Sequence, residues 1–88
     1  MKKLSVKITS KLGLHARPAT EVVSTAQKYE SHICIEKNNK RVDGKSIIGV
    51  LSVEAMPGDE LLITADGQDE REAIAALEAL FTKTLAGE

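Results

Sequence analysis

The stretch Gly13-Leu14-His15-Ala16-Arg17-Pro18-Ala19 brings together the residue types of this chain best suited to covalent chemistry. A histidine stands just ahead of a helical hydrophobic pattern, an arginine follows two residues on, and a proline falls in the first turn. The first N–H groups of a helix have no internal partner and carry partial positive charge, so an anion is welcome there, phosphate especially. Arg17 adds a planar donor fork that matches phosphate oxygens. The same positive end disfavours a protonated imidazole, so His15 is expected to keep a neutral ring with a free lone pair. A neutral imidazole is a nucleophile. The constellation is therefore a nucleophile beside an oxyanion site drawn from His15, Ala16 and Arg17, and its natural reactant is an electrophilic phosphoryl group. The plain alternative is a histidine that only caps a helix or faces solvent.

Ser46 is the second residue of interest. It precedes a short apolar segment and is placed to cap a helix, a role worth about 1 kcal/mol. A phosphate at that position would add negative charge at a helix start without breaking the helix. Ile47 and Ile48 beside it can form an exposed apolar contact patch. Gly44-Lys45-Ser46 matches the end of a nucleotide-binding P-loop, but Asn39 stands where the pattern needs its first glycine, so no ATP site is expected. His32 and Cys34 share a strand face, yet they lack a third ligand, and no metal or other cofactor is expected. Cys34 is more simply a small strand residue. Asp66, Asp69, Glu70 and Glu72 read as a solvated helix start, and Lys37, Lys40, Arg41 and Lys45 as charges splayed around a hairpin.

The elements that must hold these residues follow from periodicity. Leu4, Val6 and Ile8 alternate with polar residues, which predicts a strand with one buried face. From Ala16 to Tyr29 the period changes, and Ala19, Val22, Val23 and Ala26 form the stripe of an amphipathic helix. Pro18 lies where its missing N–H is not needed. A strand is predicted from Ser31 to Lys37, then a tight turn at Asn38-Asn39 and a short strand from Lys40 to Val42. Ser46 begins a helix running to about Val53, weakened by Gly49, with Ile47, Val50 and Leu51 as candidate buried positions. Met56-Pro57-Gly58-Asp59 carries the signature of a type II turn. A last strand is predicted from Glu60 to Ala65. Asp69 is expected to cap a final helix whose inner face carries Ala73, Leu77, Leu80, Phe81 and Thr84. The order is β-α-β-β-α-β-α. One-face-buried strands imply an α+β fold with one antiparallel sheet and helices packed on a single side.

Composition bounds the function. The 88 residues are 42% apolar and 28% charged, which fits one globular domain over 1–88. The net charge is −1, so no global field draws the chain onto nucleic acid or anionic lipid. Tyr29 and Phe81 are the only aromatic residues, which argues against a stacking platform for single strands. One cysteine suits a reducing compartment. The alternation after Met1-Lys2-Lys3 is not a signal peptide, and no apolar run approaches the roughly 20 residues of a membrane span. A cytoplasmic protein is expected.

Leu14-His15-Ala16-Arg17-Pro18-Ala19 resembles the active site of the HPr family, the histidine-containing phosphocarriers of the bacterial phosphoenolpyruvate-dependent sugar phosphotransferase system. Lys45-Ser46-Ile47-Ile48-Gly49-Val50-Leu51-Ser52 is similar to that family's regulatory segment, and the resemblance covers essentially the whole chain. It implies an open-faced sandwich of four antiparallel strands and three helices, and a carrier rather than an enzyme. It implies that His15 accepts phosphate on Nδ1 from phosphorylated enzyme I and passes it to sugar-specific enzyme IIA domains, with Arg17 at the phosphate site. It further implies partner contacts at Thr20, Ile47, Ile48, Gly49 and Leu51, and a monomer. In Gram-positive members the serine matching Ser46 is modified by HPr kinase/phosphorylase, which adds a catabolite-control regulator to the possible partners. Two positions depart from the family pattern. Leu12 replaces the usual Ser or Asn, as in some members of the nitrogen-related branch, whose role is signalling rather than sugar transport. Ile48 and Leu51 stand where methionines are common.

Overall fold

The computed structural model describes residues 1–9 and 16–84. His15 and the preceding Ser10 to Leu14 lie outside the described residues, as do the side chains of Ala16, Lys83 and Thr84. The elements are β1 (Lys2–Lys7), α1 (Ala16–Gln27), β2 (His32–Lys37), β3 (Lys40–Asp43), α2 (Ile47–Ser52), β4 (Glu60–Asp66) and α3 (Glu70–Ala79). A π-helical turn, Leu80–Thr84, continues α3. The strands form one antiparallel sheet in the order β1-β4-β2-β3.

Register explains how the alternating pattern makes a core. Leu4 pairs with Ile63, Val6 with Leu61, Ile33 with Ala65, and Ile35 with both Ile63 and Val42. Because side chains alternate across a strand, these residues share the face that the helices cover. Ile33, Ile35, Ile63 and Ala65 are fully buried there. The predicted stripe of α1, Ala19, Val22, Val23 and Ala26, is buried in the same cluster with Ala73, Leu77 and Phe81 from α3 and its continuation. Among the described residues no helix covers the opposite face, with Ser5, His32, Glu36 and Asp66, which gives the open-faced form.

The turns use the chemistry their residues permit. Asn38 and Asn39 have φ of 50° and 71°, the left-handed pair a two-residue hairpin needs. Gly58 has φ 91°, and Asp59 N donates to Met56 O at 2.9 Å, closing the type II turn. Glu54, just past α2, also lies in the left-handed region at φ 53°, where a side chain is disfavoured. Glu54→Gly is expected to stabilise the fold by about 0.5–1 kcal/mol. A urea midpoint that stays constant or falls would contradict that expectation.

Two expectations need correction. Of the α2 residues expected inside, only Val50 is buried, whereas Ile47 and Leu51 are each 37% exposed. A six-residue helix makes too few turns to bury a broad stripe. Asp69 occupies the residue before α3, but its side chain makes no capping bond. It accepts instead from Glu30 N at 2.8 Å, Ser31 N at 2.9 Å and the Ser31 hydroxyl. Ser31 is buried, so its polar groups need a partner more than the exposed helix start does. Glu70 receives Gly67 N at 3.2 Å and pairs with the Met1 ammonium at 2.9 Å. Thr84, expected on the inner face of α3, has its side chain outside the described residues.

These bonds depress carboxylate pKa values. Asp69 is lowered first by the Ser31 hydroxyl and then by Glu30 N–H. Asp59 is lowered by Lys37 and then by Met56 N–H, and Glu70 by the N-terminal ammonium and then by Gly67 N–H. A carboxylate that ionises more readily in the fold than in the unfolded chain stabilises the fold above its unfolded pKa. That stability is lost as pH falls through the lower folded value. The urea midpoint is therefore expected to fall below about pH 4, the ordinary carboxylate range. Asp69→Asn should flatten that fall, and an acid limb identical to the parent's would remove Asp69 from its cause.

Candidate functional site

α1 begins at Ala16, directly after His15, so the described part of the site is the first turn of this helix. Pro18 is fully buried, and its ring anchors that turn against the core. Arg17 is exposed and makes no ion pair or hydrogen bond among the described residues. The first turn of α1 holds no acidic residue that would neutralise the positive helix end. Among the described residues, then, the first turn of α1 presents a guanidinium without a partner two residues after the histidine and no acidic side chain. Thr20, one turn on, is also exposed.

α2 is joined to α1 by side-chain bonds. Gln27 Nε2 donates to Lys45 O at 3.1 Å, and Lys45 Nζ to Tyr29 O at 2.6 Å. Lys45 is thereby a structural tie between the end of α1 and the start of α2. Ser46 has extended backbone at φ −109° and ψ 119°, and its Oγ accepts from Gly49 N at 3.1 Å. The serine oxygen serves here as an acceptor. A phosphoester formed at Oγ would keep that oxygen as an acceptor, so the cap and a modification are chemically compatible. Gly49, half-buried, has room for a Cβ at 3.4 Å from Asp43 O and Ser46 Oγ, so space does not dictate a glycine there.

Around this cap the surface is apolar. Ile48 is 80% exposed, far more than a soluble surface requires of an isoleucine. Ile47 and Leu51 contribute on the same short helix. Met56, which periodicity marks only as a turn residue, is also exposed and apolar. Sequence patterning reads Lys37 and Lys40 only as hairpin charges and does not pick out Glu54, because their contacts at the far end of α2 depend on tertiary folding.

The remaining candidates disperse. His32 and Cys34 lie on the open sheet face around a shallow depression shared with Arg41, Thr64 and Asp66. No group of three or more His, Cys, Asp or Glu is arranged to hold a metal among the described residues. Lys45 turns away to Tyr29 O, but Lys37 and Lys40 do not splay as the hairpin reading expects: both reach carbonyls at the end of α2. No helix among the described residues is long and apolar enough to cross a membrane.

Comparison with known proteins places this geometry. The family model described as the PTS HPr component phosphorylation site matches residues 2–83. A crystal structure of HPr from Thermoanaerobacter tengcongensis is 44% identical and superposes with a TM-score of 0.94, covering 100% of this chain and 99% of that one. The phosphocarrier protein HPr of Bacillus anthracis is 38% identical with a TM-score of 0.86, covering 92% of this chain and 96% of its own. Crh of Bacillus subtilis, named for catabolite repression and described as a domain-swapped dimer, is 36% identical with a TM-score of 0.76. There the coverage is 97% of this chain and 98% of that one.

Proposed function

The chain belongs to the HPr family, the phosphocarriers of the phosphotransferase system, and on that premise we propose His15 as the residue that carries its phosphoryl group. The protein is a carrier of phosphohistidine and not an enzyme in its own right. The observation that carries the assignment to His15 is the exposed Arg17, without a partner among the described residues, on a first turn of α1 that holds no acidic residue. The chain's other histidine, His32, supports it by contrast. It sits on the open sheet face directly opposite Asp66, whose carboxylate would repel a phosphoryl group.

The chemistry is an exchange of P–N bonds. The His15 ring nitrogen, Nδ1 by family resemblance, attacks phosphorus on the phosphohistidine of enzyme I. The donor P–N bond breaks as the new one forms, and the donor imidazole leaves with its electron pair. Arg17 and the first N–H groups of α1, including that of Ala16, hold the phosphoryl oxygens while charge spreads over them. The two histidine phosphates have similar group potential, so transfer is reversible. The same step runs onward to an enzyme IIA domain. The surface that docks these partners comprises Thr20, Ile47, Ile48, Gly49 and Leu51.

This reading places the protein in the cytoplasm, as one domain over 1–88 acting as a monomer in sugar uptake. Regulation by a kinase of the HPr kinase/phosphorylase class acts at Ser46, where a phosphoester is compatible with the cap. Its negative charge would alter docking beside Ile47 and Ile48 and recruit a catabolite-control regulator. The nitrogen-related branch is the alternative, favoured by Leu12.

The test is incubation with phosphoenolpyruvate and enzyme I, followed by mapping of the acid-labile adduct. An adduct on His15 supports the assignment, and one on His32 overturns it. Onward transfer to sugar-type rather than nitrogen-type IIA domains supports the sugar branch, and the reverse preference overturns it. Purified HPr kinase that leaves Ser46 unmodified would remove the regulatory role.

A further inference from the structure

The far end of α2 is held by two lysines from the β2–β3 hairpin. Lys40 Nζ donates to Ser52 O at 2.7 Å, and Lys37 Nζ to Glu54 O at 3.0 Å. Lys37 also pairs with Asp59 at 2.8 Å, and the same carboxylate oxygen accepts Met56 N at 2.8 Å. One ammonium thus joins the end of β2, the second residue after α2 and the turn before β4. Lys37 and Lys40 are direct cross-strand partners across the Asn38-Asn39 turn, so the left-handed asparagines set both lysines at the helix end together.

The arrangement answers a need specific to α2. The last carbonyls of a helix have no internal partner and carry partial negative charge, which a cation satisfies. α2 has no basic residue in its own last turn. Val50 is its only buried residue, and one buried side chain does not fix the rotation of a helix about its own axis. The start is tied by Ser46 and the bonds to α1; the end is held by buried Val53 and Ala55 in the core together with Lys37 and Lys40 at its carbonyls. Glu54 in its left-handed conformation turns its carbonyl into the span of Lys37.

We propose that Lys37 and Lys40 are positioning residues for partner recognition, acting through α2 by orienting Ile47, Ile48 and Leu51. This inference rests on the reading of that apolar surface as the docking site. Lysines that engage backbone carbonyls here do so in the free protein, so their effect is present before any partner arrives.

The experiment measures steady-state phosphorylation by enzyme I together with amide hydrogen exchange of the unbound protein. Lys40→Met keeps the side-chain stem and the Lys37–Asp59 pair while removing one ammonium; Lys37→Met/Lys40→Met removes both. KM for the carrier is expected to rise several-fold in the single variant and further in the double, with kcat unchanged. Exchange at residues 47–54 should quicken in the same order, and Lys40→Arg should restore both quantities. A raised KM with parental exchange would mean that the lysines touch the partner directly and would overturn the proposal. So would faster exchange with a parental KM, or no change in either. Ile48→Asp separates the layers. If it raises KM while the lysine variants do not, this inference alone falls. If it leaves KM unchanged, the docking assignment falls and takes the inference with it.

Discussion

His15→Ala is expected to accept no phosphoryl group from enzyme I and phosphoenolpyruvate, with no slow residual phase on long incubation. The loss is complete because the side chain supplies the atom to which phosphorus binds, and no positioning effect substitutes for a missing nucleophile. Intact mass after incubation reads the result directly, as absence of the phosphoryl increment that the parent acquires. Arg17→Ala should behave differently, taking up the same full increment at a rate lower by about a hundredfold, the loss typical of one charge-stabilising donor. Retained thermal stability in both variants separates chemistry from folding, since Arg17 is exposed and makes no contact among the described residues that the core depends on. An acid-labile adduct on the His15→Ala chain would remove His15 from the mechanism.

A large effect on stability is expected at Gly44. A Cβ there would stand 2.6 Å from Ile33 Cγ2 and 3.3 Å from Ile33 O. Ile33 is fully buried between its neighbours and cannot swing aside. The strand cannot slide away either, because Gly44 N donates to Ile33 O at 2.8 Å. Gly44→Ala should therefore cost about 2–3 kcal/mol, the upper range for overpacking a filled site. In a domain of this size that lowers Tm by roughly 10–20 °C. A loss under about 0.5 kcal/mol, the scatter of surface substitutions, would show that the end of β3 yields freely. Gly44 also lies two residues before the Ser46 cap, and Ser46 N donates to Asp43 O at 3.2 Å. Strain at Gly44 should therefore reach the start of α2 as well as the sheet.

What was legible in the sequence was local. The alternation of Leu4, Val6 and Ile8 carries the buried face of the first strand, and Val6 and Ile8 are buried as the pattern requires. Ser46 caps α2 because its bond partner, Gly49 N, is three residues away. The asparagine pair closes a hairpin for equally local reasons. Asp69 failed as a cap because its partners, Glu30 and Ser31, are 39 and 38 residues distant. A buried serine at that separation leaves no mark near Asp69 in the sequence. The left-handed Glu54 was equally hidden, since glutamate carries no signal for that conformation. The motif Leu14 to Ala19 made the site recognisable through resemblance, while periodicity alone offered only a helix start. The strand order β1-β4-β2-β3 is set by long-range pairing that no window of sequence contains.

The ion pair between the Met1 ammonium and Glu70 makes the chain's first nitrogen part of the architecture. Asp66 lies 3.9 Å from the same nitrogen, so two acidic side chains gather around it. Fusing an affinity tag to this end would convert a charged amine into a neutral amide and leave both carboxylates facing it without their cation. A tag appended at the carboxyl end keeps that junction intact, and binding or acid-stability measurements are best made on protein prepared in that way.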